Sequence, residues 1–292
     1  MRISAILNEG TIKVPREAIK DVMNTVCTDV FSRAFTYITR DKVRDNYPEL
    51  VDVYKALYRE YQKDYGSFPV HLGQDESKVM TQQVHVRMKE VDPRYFKRNP
   101  NAKNRTYTVN VMVHLGDDRG FGGSFTKSTP GRPAKLDVYL PEPSHFERTI
   151  RAPELFDSMM ERLVGYVEHE LMHGIQSMAL KQDDSEVAHY YDADEKLIPD
   201  KYYTSEIEFG PQVVTAAKEF VASLREFRAL GVDVYGKEKI RQLLIRYVNP
   251  ATPDMAGMET MRSDFFKTLY NQDKEKWKKA VKYFYGLVQD KI

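Results

Sequence analysis

Glu168-His169-Glu170-Leu171-Met172-His173 is the stretch from which the rest of the chain is read. On a helix, residues four apart lie one turn apart on the same face, so His169 and His173 present two ring nitrogens side by side. Such a pair holds a Zn²⁺, and the residue after the first histidine, Glu170, projects next to it as a base for an attacking water. The pattern lacks a third protein ligand, because a catalytic zinc takes three protein donors and leaves one position open.

Working outward, Pro153 is placed to start a helix. Phe156, Met160, Leu163, Val164, Val167, Leu171, Ile175 and Met178 recur along it as a broad apolar stripe. The two histidines fall off that stripe, beside Tyr166, Gln176 and Ser177, so they are expected at the edge of the core, where a cleft can form. Upstream the period changes to two. Val84, Val86 and Met88 alternate with polar residues, as do Tyr107, Val109, Val111, Val113 and Leu115, and then Leu136, Val138 and Leu140. Each run reads as a half-buried strand. Gly116 to Pro133 carries so much glycine and proline that a mobile flap is expected there rather than a regular element. Strands, flap, short strand and then the histidine helix is the order expected when an edge strand borders an active-site groove.

Before the sheet, apolar spacing predicts helices from about Pro15 to Thr39 and from Pro48 to near Gly66. These read as packing elements. After the histidine helix, residues 181–200 are polar and aperiodic, so a loop is expected. Ser205 and Glu208 have the spacing of a capping box, and the apolar pattern from Gln212 to Gly231 predicts a helix. Further helices are predicted at about Lys237 to Tyr247, Pro253 to Tyr270 and Asp273 to Leu287. The expected class is α+β: a small, mostly antiparallel sheet, the histidine helix and a largely helical C-terminal half. An α+β part over 1–200 and a helical part over 201–292 are expected to make one continuous unit.

Composition narrows the function. A formal net charge of +1 gives no bulk electrostatic attraction to nucleic acid, and the Lys274, Lys276, Lys278, Lys279, Lys282 group with Trp277 reads as a solvated helix face. One cysteine, Cys27, excludes an internal disulfide and a paired-cysteine metal site, as suits a reducing compartment. No apolar run reaches the about eighteen residues of a membrane span, and Met1 to Glu9 lacks a signal-peptide core. A cytoplasmic protein with no membrane partner is expected; release by lysis or incorporation into a larger particle fits the same reading.

For the third donor the residues leave three candidates: Glu206 and Glu208 at a helix start, and His189 in the polar loop. His145 is a weaker one. The pair His169-Glu170-Leu171-Met172-His173-Gly174-Ile175-Gln176 and Tyr202-Tyr203-Thr204-Ser205-Glu206-Ile207-Glu208 resembles the zincin superfamily, in its gluzincin branch. Poorly characterised bacterial and phage-borne metallopeptidases have a similar pattern. The resemblance spans about His169 to Gln212, with Thr204 where proline is common and Phe209 where a small residue is common. It implies a zincin-like fold and a Zn²⁺ held by His169, His173 and Glu206, Glu208 standing where glutamine is tolerated. It further implies Glu170 as general base in the hydrolysis of a peptide or protein substrate. Tyr203, or Tyr202 beside it, is the candidate for stabilising the oxyanion, on its closeness in sequence to Glu206. The alternative from another class is a catalytically idle zincin-like structural or binding protein, such as a virion component.

Overall fold

In the computed structural model, residues 14–71, 80–87, 100, 106–115, 122–126, 133–140, 149–180, 198–252 and 263–289 are described. They divide into two compact units, 12–175 and 176–292, the division falling inside the long histidine helix.

The first unit opens with α1 (Arg16–Ile38), the short α2 (Asp41–Asn46) and α3 (Leu50–Tyr65). In α1 the residues Val22, Met23, Val26, Cys27, Val30 and Phe31 are wholly buried. Phe31 is the hub of an aromatic cluster: Tyr54, Tyr58 and Phe156 meet its ring edge-on at centroid distances of 5.7, 5.6 and 5.3 Å. These geometries suit the ring quadrupoles and tie α1 to α3 and to the helix carrying Phe156. Beside the hub, Asp29 and Arg33 form a buried two-point ion pair at 2.6 and 3.1 Å, one helical turn apart.

Four strands follow: β1 (Met80–Arg87), β2 (Thr106–Leu115), β3 (Gly122–Thr126) and β4 (Ala134–Leu140). Their order in the sheet is β1-β2-β4-β3. The sheet is mixed. β1 with β2 and β3 with β4 are antiparallel, whereas β2 and β4 run parallel, with Val111 opposite Leu136. After β2 the chain crosses to the far edge, forms β3 and returns as β4 in the middle. The sheet is mostly antiparallel, as expected from sequence, through its two outer pairings, while the central pairing of β2 with β4 is parallel. Val84, Val109, Val111, Val113, Leu136, Val138 and Leu140 line the buried face as their alternation requires, although the side chain of Val86 lies outside the described residues. On the other face Asp137 is buried, accepting from Lys135 Nζ at 2.8 Å and paired with His114.

β3 corrects the reading of 116–133 as irregular. Its Gly122-Gly123 pair weakens any strand signal, since glycine costs backbone entropy and packs no side chain. Pairing with the apolar β4, through Phe125 opposite Leu136, nevertheless makes it the edge strand. The rest of that run lies outside the described residues.

α4 (Pro153–Leu180) is the histidine helix, starting at Pro153 as predicted. Its stripe from Phe156 to Ile175 is buried, while the side chains of Ser177 and Met178 lie outside the described residues. The unit beginning at Gln176 continues with α5 (Pro199–Thr204), α6 (Glu206–Ala229), α7 (Lys237–Val248), α8 (Asp264–Gln272) and α9 (Lys274–Val288). Phe220, Tyr247, Phe266 and Phe284 fill its core, with Phe220 and Phe266 edge-on to Phe284 at 5.7 and 5.3 Å. α6 begins earlier than the apolar pattern implied and runs through Pro211. Pro211 withholds one ladder hydrogen bond, which the buried stripe from Val213 to Leu224 outweighs. α8 begins at Asp264, within the span predicted as Pro253 to Tyr270, and residues 253–262 lie outside the described set. Lys274, Lys278, Lys279 and Lys282 are exposed on α9, while Lys276 donates to the Thr204 carbonyl at 2.6 Å. Among the described residues no helix is long and apolar enough to cross a membrane.

Candidate metal centre

α4 supplies the first part of the site. His169 is 5% exposed and His173 half-buried. Their rings meet at 70° with centroids 4.7 Å apart. The two Nε2 atoms are 3.0 Å apart, close enough for one ring to donate its N–H to the other. Two nitrogens about 2.0–2.1 Å from a tetrahedral ion would keep a similar separation, roughly 3.3 Å. Glu170 Oε1 lies 4.0 Å from His169 Nε2, with its side chain only 12% exposed.

The third member is Glu208. One ligand atom from each of His169, His173 and Glu208 lies within 4.8 Å of the others. Glu208 is 5% exposed, near the start of α6. Two imidazoles and a carboxylate are a donor set that fits Zn²⁺ well, being borderline in softness and three in number. Of the two glutamates considered from sequence, Glu208 belongs to this group. Glu206 is the first residue of α6, and its side chain lies outside the described residues. His189 and His145 also lie outside them. His114 is held on the sheet by Asp137 and stacked on Tyr139, centroids 5.1 Å apart.

β3 lies against α4 at this point. A Cβ added to Gly123 would come within 2.8 Å of Glu170 Cγ, and one added to Gly174 within 2.7 Å of the Phe125 ring. The sequence reading missed both glycines as parts of the site. For Gly123 the available signal is a paired glycine two residues before Phe125, a pattern that loop composition also gives.

Tyr203, in α5, packs edge-on to Phe265 at 5.9 Å and leans on Tyr202 at 5.2 Å. Burial first, then the charges of Asp264, Glu219 and Glu208, raise its pKa above the usual phenol value. It therefore keeps its proton well past neutrality, as a hydrogen-bond donor must. Tyr202 Oη accepts from Gln212 Nε2 at 2.8 Å.

In comparisons with known proteins, no family model matches the chain, and neither a curated protein nor a solved structure does.

Proposed function

We propose that the chain is a zinc-dependent metallopeptidase with a zincin-like arrangement of edge strand and histidine helix. The observation that carries the proposal is the convergence of His169, His173 and Glu208 beside Glu170. His169, His173 and Glu208 would hold the metal. Zinc, when bound, supplies a Lewis acid and brings the pKa of a water toward neutrality. Glu170 takes the proton of the attacking water and returns it to the leaving amine of the peptide. Its partial burial keeps competing solvent away from the carboxylate. The Tyr203 phenol, protonated at working pH, is the proposed donor to the developing oxyanion. An extended peptide would add to the outer edge of β3, its backbone groups pairing with the strand.

Zinc analysis with chelator competition tests the site. The expected result is one zinc per chain in the wild type and in Glu170→Gln, and none retained by His173→Ala. Glu208→Ala is expected to bind on the order of 100-fold more weakly or worse, because a ligand is lost. Glu206→Ala is expected to bind as the wild type does. A larger loss from Glu206→Ala than from Glu208→Ala would move the third ligand, and a wild type that takes no zinc would remove the site.

A further inference from the structure

We infer that Gly123 is a positioning residue for Glu170: strand β3 holds the glutamate through two reciprocal contacts, Glu170 over Gly123 and Phe125 over Gly174. The inference rests on Glu170 being the base. Two residues along a strand advance about 6.6 Å, and four along a helix about 6 Å, so strand and helix are in step here. Gly123 meets Glu170, and Phe125 meets Gly174, one helical turn on. At each station one partner is a glycine and the other a large side chain. A Cβ at Gly123 would sit 2.8 Å from Glu170 Cγ, 3.6 Å from its Cδ and 3.4 Å from the Asp137 carbonyl oxygen. A Cβ at Gly174 would sit 2.7, 2.8 and 3.3 Å from three carbons of the Phe125 ring.

Neither glycine serves a left-handed backbone; among the described residues only Gly66 and Gly231 have positive φ. What Gly123 and Gly174 supply is space. Phe125 seated on Gly174 fixes the height of β3 above α4. That height brings the Gly123 backbone against the Glu170 methylene carbons and closes one wall around a side chain with three rotatable bonds. A base held in this way keeps its carboxylate beside His169, where Oε1 lies 4.0 Å from Nε2.

The test is a double-mutant cycle between Gly123→Ala and Glu170→Ala, read in kcat, KM and zinc content. Alanine removes the Cγ that the new methyl would meet. In the wild-type background Gly123→Ala is expected to lower kcat about tenfold or more, with KM changed less than about threefold and zinc retained. In the Glu170→Ala background the same change is expected to alter the residual kcat by less than about twofold. Equal losses in both backgrounds, or an unchanged kcat in Gly123→Ala, would overturn the inference.

A wild type without turnover would defeat the proposed peptidase but still leave the positioning open to a decisive measurement by thermal unfolding. Gly123→Ala is expected to lower Tm by about 2–4 °C when Glu170 is present. In Glu170→Ala, which lacks the opposing Cγ, it is expected to leave Tm unchanged or raise it. The same fall in both backgrounds would show that Gly123 does not meet Glu170.

Discussion

Glycine does two different jobs in this chain, and substitution separates them. Gly231, at φ 76° after α6, has nothing within 4 Å of where a Cβ would go, so its requirement is conformational. Gly231→Ala is expected to cost about 1 kcal/mol in urea unfolding, the penalty of a side chain in the left-handed region; an unchanged midpoint would show that the turn relaxes. On the sheet, Asp137 joins Lys135 and His114. Asp137→Ala should destabilise by about 1–3 kcal/mol, less than for a fully buried pair because both partners reach solvent. A neutral result in the same measurement would mean that the pairs contribute nothing net. At this scale the pairing of His169 with His173 was legible in sequence, because one helical turn defines its geometry. The third donor was left open by spacing. Spacing alone does not say which of Glu206 and Glu208 supplies a donor; Glu208 belongs to the described group, and the side chain of Glu206 lies outside the described residues.

Elements were legible where one strong period ran uninterrupted, as in α1, α4 and α9. They blurred where a special residue sat inside them. Pro211 hid the first turn of α6, and Gly122-Gly123 hid β3, since both residues read as breakers unless the tertiary partner is known. The parallel pairing of β2 with β4 was equally hidden, because it depends on which strand is inserted and not on either strand's own pattern. The link between α3 and α4 is likewise tertiary: Tyr61 Oη donates to Asp157 Oδ1 at 2.8 Å across 96 residues. Tyr61→Phe, which keeps the ring packed on Phe156 and removes that donor, is expected to lose about 1–3 kcal/mol in denaturant unfolding. No loss would assign the contact to ring packing alone.

For the whole molecule, buried phenols set the alkaline limit. Tyr54, Tyr61, Tyr203 and Tyr285 all have pKa values raised, first by burial. Below the ordinary phenol value of about 10 the native and unfolded states bind the same phenolic protons. Above it the unfolded chain releases protons that the native chain keeps, so stability falls as pH rises through the raised values. Unfolding free energies measured from pH 8 to 11.5 are expected to begin to fall near pH 9, where the buried Cys27 thiol ionises in the unfolded chain alone, and to fall more steeply above about pH 10. A flat profile to the upper end would contradict the burial of these hydroxyls.

Hydrolysis of a peptide by the metal-loaded chain is what the proposed function requires. The most direct test is turnover of a broad quenched-fluorescence peptide library by zinc-loaded wild type and by Glu170→Gln at equal zinc content. Hydrolysis by the wild type, abolished by chelation and reduced by on the order of 1000-fold in Glu170→Gln, is the expected result. Stoichiometric zinc with no cleavage of any peptide, or equal cleavage by both proteins, would contradict it.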